Sequence, residues 1–217
     1  MAIAAIHKEL DELMGHLPEH MKSNHLLSSH YHSVLVQLYE PAIYEPPTQR
    51  VDETFSRPRR LWKCLEYAQS SYDAFLLAPP EVLSVMPFVM IAHLSSTNVI
   101  IARLLMLDGP EWDSSTARQA VDFPGIIQRM ATFFEAGDHA SGLRRRTLEN
   151  GQGYLAMYAE KWEWARNWYY SKVSNIPAVS GNATSIPLMS QDTGIVSDAQ
   201  LWQILFDPGY EGVAPAP

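Results

Sequence analysis

Only one cysteine, Cys64, occurs in 217 residues, which excludes an internal disulfide and any zinc site built from several cysteines. That scarcity fits a reducing compartment. Glycine-rich phosphate cradles are missing too, since Gly151-Gln152-Gly153 is too short to stand for either the P-loop or the dinucleotide-binding pattern. No GxSxG elbow presents a nucleophilic serine. The N-terminal MAIAAIHKELDELM mixes charge into its apolar positions, so it lacks the layout of a signal peptide, and an intracellular protein is expected. Period-two alternation bounded by hairpin turns is absent, as is any fixed-length repeat. A formal charge of −8 argues against this chain gripping a nucleic-acid backbone by itself.

The most informative gap is a gap in charge. From Val82 to Ala102 there is no Asp, Glu, Lys or Arg, and the apolar residues go all the way round a helical wheel. A helix apolar on every side is buried, in lipid or in protein. Ser84, Pro87, His93, Ser95, Ser96, Thr97 and Asn98 speak against lipid, where each polar group needs a partner. The length would still allow a membrane span. The expectation is a central helix enclosed by other helices, ended by Gly109 and Pro110. Pro87 either kinks it or marks where a short helix stops and the long one begins.

Around this centre the periodicity predicts helices throughout. Ile3, Ile6, Leu10, Leu13 and Met14 make one stripe of a first helix that Gly15 and Pro18 end. Ser23 or Asn24 caps a second, which turns Leu26, Leu27, Tyr31, Val34, Leu35 and Leu38 inward and stops near Pro41. The proline-rich stretch 45–58 is a loop. A third helix starts near Pro58 and runs through Leu61, Cys64, Leu65, Ala68, Tyr72 and Phe75 to Pro79. After the central helix, Asp113 or Ser114 caps a segment that Pro124 and Gly125 divide, and Ile126, Ile127, Met130, Phe133 and Phe134 mark a helix ending at Gly137. Then comes an aromatic helix with Leu155, Tyr158, Trp162, Ala165, Trp168 or Tyr169 and Val173 on one side. The fold expected is all-α, a single domain of about six or seven helices around the buried apolar one. Its limits are a helical domain over 1–175, a linker over 176–196, and a short acidic-hydrophobic helix and tail over 197–217.

Chemistry is sparse. Six histidines crowd the N-terminal third, but Pro18 breaks the helix that would pair His16 with His20, and His30 and His32 point to nearly opposite sides. His25 and His32 share a face without a third ligand, so no metal site is expected. Cys64 lies on an apolar face, the setting of an inert buried thiol. His93 needs a hydrogen-bond partner if buried, and is either satisfied by a neighbour or available to a ligand in a bundle cavity. Arg57 to Lys63 and Leu143 to Arg146 are local basic runs, readable as solvated segments, acidic-partner patches or a nuclear-import signal. The Trp/Tyr cluster from Tyr154 to Tyr170 has the spacing of a packed helix rather than a base-stacking platform. In DAQLWQILFD, Leu201, Trp202, Leu205 and Phe206 stand among acids, a pattern that either docks into a partner's groove or folds back on its own domain. No catalytic or cofactor-binding residue set is found.

HYHSVLVQLYEPAI (His30 to Ile43) resembles the regulatory-region helix of fungal zinc binuclear cluster transcription factors, where a Tyr-His pair leads into an apolar run closing in a Leu-His-Arg-Pro type sequence. The matching positions are Tyr31, His32, Leu38, Tyr39, Glu40 and Pro41, with Glu40 replacing the usual basic residue. LWKCLEYAQSSYDAFLL and the order of later helices are also similar to that family. The resemblance implies a non-catalytic, nuclear effector domain, able to shuttle through the cytoplasm, that contacts the transcriptional machinery or a co-regulator and senses a small molecule. The family's six-cysteine DNA-binding module does not lie within these residues, so no direct nucleic-acid contact is expected. The chain would be a C-terminal fragment or a free-standing relative. A helical enzyme or carrier with a cavity near His93 is the rival reading, and a self-associating scaffold a third. No membrane partner is expected, and a homodimer stays open because of the surplus of Trp and Tyr.

Overall fold

The computed structural model describes residues 2–46, 56–140 and 153–174. Among them the chain is all-α, with helices α1 (Ala2–His16), α2 (Glu19–Lys22), α3 (His25–Tyr39), α4 (Arg57–Phe75), α5 (Phe88–Met106), α6 (Ser114–Ala120), α7 (Phe123–Ala140) and α8 (Tyr154–Ser174). Two 3₁₀ turns, Glu40–Ile43 and Pro80–Ser84, follow α3 and precede α5. The limits expected for the linker (176–196) and the terminal helix (197–217) fall outside the described residues. So does the basic run from Leu143 to Arg146.

Local chemistry sets the boundaries. Asn24 caps α3, its Oδ1 accepting from Leu27 N at 3.0 Å. Asp113 caps α6, accepting from Ser115 N at 2.9 Å and Thr116 N at 3.1 Å. Pro87 does not kink a long helix. It precedes α5 in extended backbone, and the preceding residues close into the Pro80–Ser84 turn. Among the described residues the one helix not expected is Glu19–Lys22, which makes its own turn after Pro18, while Ser114–Ala120 is separate from α7 as the Asp113 cap and Pro124 suggested. Helix α7 also runs past Gly137 to Ala140, because that glycine is a packing position inside the helix and not its end.

Helix α3 packs along α4 and α7 along α8, and α5 lies against α3, α4 and α6. Its Ile91, Leu94, Val99, Ile100, Ile101, Ala102, Leu104 and Leu105 are buried in one continuous core with Leu61, Leu65, Tyr72 and Phe75 of α4 and Phe134, Tyr158 and Trp162 of the α7–α8 pair. Helix α5 is the one described helix long and apolar enough to cross a membrane, yet most of it is enclosed by its neighbours. Tyr72, fully buried, anchors α4 to it by donating to the Leu94 carbonyl oxygen at 2.7 Å. Where α3 crosses α4, serines replace larger side chains. Ser33 Oγ lies 2.8 Å from Ser71 Oγ, and both hydroxyls donate to the Ser29 carbonyl oxygen at 3.0 and 3.1 Å. The inward face of α3 is therefore Ser29, Ser33, Leu35, Val36 and Tyr39, rotated from the aliphatic face that hydrophobicity suggested.

Candidate functional site

The feature that stands out is the surface seam between α3 and α5. Helix α3 contains no Asp, Glu, Lys or Arg at all, and α5 has none before Arg103. On the outer side of α5, Phe88 and Val89 are exposed, while Ala92, His93 and Ser96 one and two turns on are half-buried. On α3, Leu26, Leu27, His30 and Val34 are half-buried on the facing side. His30 Nδ1 and His93 Nδ1 meet across the seam at 3.1 Å, with ring planes 7° apart. One ring donates and the other accepts, according to the tautomer. Burial, then the neighbouring His30, holds the His93 imidazole below the usual histidine range, so the neutral form is favoured there. His93 thus has the partner that a half-buried imidazole needs, and it sits at the surface seam between helices.

His32, on the other side of α3, faces α4. Its ring lies over Tyr67 at 6.2 Å, and burial lowers its pKa. His25 is exposed, so the His25–His32 pairing suggested by heptad spacing does not form. Below them His7 of α1 bridges two phenols, with Nδ1 2.8 Å from Tyr39 Oη and Nε2 3.3 Å from Tyr67 Oη. Asp11, one turn along α1, accepts from Tyr31 Oη. Burial and that carboxylate push the Tyr31 phenol up. Helix α1 has no fully buried residue, and this polar contact adds to the packing of its half-buried Ile3 against the core.

At the far end of the seam the substituted position Glu40 finds a use. It accepts from Tyr44 Oη at 3.2 Å, and Arg103 of α5 lies over the Tyr44 ring with its charge facing Glu40. The acidic residue there is matched by a basic one on the central helix.

The basic run Arg57–Lys63 is only partly a surface. Arg57 is buried, donating from Nε to the Ala42 carbonyl oxygen at 2.9 Å and from Nη2 to that of Ile43 at 3.3 Å, with Nη1 3.7 Å from Glu111. Arg60 pairs with Glu45. This run ties the start of α4 to the end of the α3 turn. Cys64 is buried with its Sγ 3.7 Å from the Val36 carbonyl oxygen, and burial, then Glu40, pushes its thiol far up, so it is no nucleophile. Tyr158, Trp162, Trp168 and Tyr169 are core residues, as their spacing predicts. Leu201, Trp202, Leu205 and Phe206 lie outside the described residues. Among those described, no three His, Cys, Asp or Glu side chains converge on one point. Sequence reasoning missed the partners of His7, His30 and Arg57, which belong to other elements of the chain.

The profile of the ATEG07667_C family, a C-terminal domain, matches residues 80–204. The chain belongs to that family. The matched part of the ATEG07667_C domain opens at the 3₁₀ turn before α5 and takes in α5 to α8 together with Leu201 and Trp202. His30, across the seam, lies before it. Transcription factor opdL of Penicillium oxalicum is 29% identical over 144 residues, which cover 65% of this chain and 25% of that protein. The aligned part is thus about a quarter of that relative's length. No solved structure matches. Both findings agree with the resemblance to the C-terminal region of fungal transcription factors carried by His30 to Ile43.

Proposed function

We propose that this chain is a non-catalytic effector region of a fungal transcription factor, acting in the nucleus through protein contacts. The observation that supports it best is the family match over 80–204 together with kinship to a transcription factor. The chemistry is consistent with a relay. The one thiol is inert by burial, and the half-buried histidines His7 and His30 bond to aromatic or imidazole partners. An acidic-hydrophobic segment with Leu201, Trp202, Leu205 and Phe206 is the partner-binding element, suited to a groove on a co-regulator or on the transcriptional machinery. The pathway under control is a metabolic or secondary-metabolite one, and a small-molecule effector acts at the bundle near His93. This chain makes no direct contact with DNA in that reading, as a C-terminal fragment or as a free-standing relative.

The test is a reporter driven by this chain fused to an unrelated DNA-binding module. Trp202→Ala with Phe206→Ala lowers reporter output several-fold while the helical circular dichroism is kept. Unchanged output removes the segment from the account.

A further inference from the structure

Helix α8 is buried along two rows of side chains. One row faces α7: Tyr158 and Trp162 meet Phe134 with ring centroids 5.8 and 6.3 Å apart, and Tyr169 meets Phe123 at 4.9 Å. A second row, Met157, Lys161, Trp164 and Trp168, lies roughly a third of a turn round the helix. Met157, Lys161 and Trp168 are only 7%, 9% and 6% exposed, and Trp164 is half-buried. The Trp164 and Trp168 rings stack at 6.5 Å with planes 18° apart, and neither buried indole N–H has an acceptor among the described residues. Buried donors of that kind call for an acceptor. Lys161 Nζ stands 5.7 Å from the centre of the Tyr158 ring, and an ammonium this buried calls for a carboxylate. The row therefore suits an apolar occupant that brings acceptors and negative charge.

Two stretches outside the described residues flank α8, 141–152 before it and 175–217 after it. The first carries Arg144, Arg145 and Arg146, which a buried ammonium repels. Within the second, residues 198–207 hold Asp198 and Asp207 and no Lys or Arg, and Leu201, Trp202, Leu205 and Phe206 share one face at helical spacing. Gln200 and Gln203 add side-chain acceptors. Reach is ample, since α8 is about 30 Å long and residues 175–197 can extend to about 75 Å. The family match is continuous from α8 into the segment, ending at residue 204. We propose that residues 198–207 dock on the Met157–Lys161–Trp164–Trp168 face of α8 in their own chain, with an Asp198 or Asp207 carboxylate on Lys161. Seated there, the segment is withheld from a partner's groove, so the contact is autoinhibitory. That consequence rests on the effector reading, whereas the contact itself does not.

The experiment is hydrogen exchange by mass spectrometry on the full chain, paired with the reporter fusion. Leu201→Asp with Leu205→Asp unseats the segment, so exchange over residues 154–174 rises roughly tenfold or more while α5 keeps its protection. Lys161→Glu raises exchange over both α8 and 198–207. Adding Asp198→Lys and Asp207→Lys to Lys161→Glu restores it, a rescue that a merely structural lysine does not give. In the reporter, Lys161→Glu raises output several-fold. Should Lys161→Glu fail to fold, the Leu201, Leu205 variant decides the contact. Unchanged exchange over 154–174 in that variant overturns the proposal. A folded Lys161→Glu chain whose protection the charge reversal does not restore overturns it equally. Exchange that rises as expected without any change in reporter output upholds the contact and overturns the effector reading, so the two failures are separable.

Discussion

Gly137 of α7 stands so close to Leu83 that a β-carbon on the glycine would lie 2.4 Å from Leu83 Cδ1 and 3.1 Å from the Pro80 carbonyl oxygen. The turn that starts the central element is thereby seated directly on the α7–α8 pair. Alanine normally improves a helix interior. Here Gly137→Ala forces the buried Leu83 and the turn apart, costing about 1–3 kcal/mol. Gly15→Ala, with nothing within 4 Å, is neutral or stabilising by up to about 1 kcal/mol. Urea unfolding of both variants reads the contrast.

Arg57→Ala strands the carbonyl groups of Ala42 and Ile43 and leaves Glu111 without its buried partner charge. The expected loss is about 3 kcal/mol, well above that of an exposed basic residue. Arg129→Ala, which removes an exposed pair with Asp73, costs at most about 1 kcal/mol in the same assay.

His7→Ala releases α1. The helix has no fully buried residue and is held by the bonds to Tyr39 and Tyr67 and by Ile3 against the core, so hydrogen exchange over residues 2–16 rises. Global stability falls by only about 1 kcal/mol, because α1 has no fully buried residue. Equal loss of protection in α5 would contradict this picture.

Stability should fall with acidity through His32 and His93. Both have folded-state pKa values below the unfolded value, so the unfolded chain takes up protons first as pH drops. Their contribution is intact above the unfolded histidine range and lost as pH falls through it toward the folded values. His32→Gln flattens the slope of unfolding free energy between pH 7.5 and 5, roughly the histidine range. A slope that keeps its size in that variant assigns the effect elsewhere.

Much of this architecture was legible because its signals are local. The uncharged run predicted a buried centre, Pro87 offered its true starting point, and Asn24 and Asp113 sit where caps belong. What was hidden depends on distant partners. Ser29 and Ser33 stand outside the inward face expected from Leu26, Leu27, Tyr31, Val34, Leu35 and Leu38, and it is Ser71 from α4 that satisfies them at the α3–α4 crossing. Arg57 reads as a solvated charge because its acceptors belong to the preceding turn. His93 showed only that an imidazole sat in an apolar helix, and its partner, His30, could be found only by folding α3 against α5.

The account stands most directly on transcription itself. The unaltered chain, tethered to a promoter through an unrelated DNA-binding module in a fungal host, is predicted to change reporter output several-fold relative to that module alone. Output indistinguishable from the bare module, from a chain shown to be folded and nuclear, would contradict it.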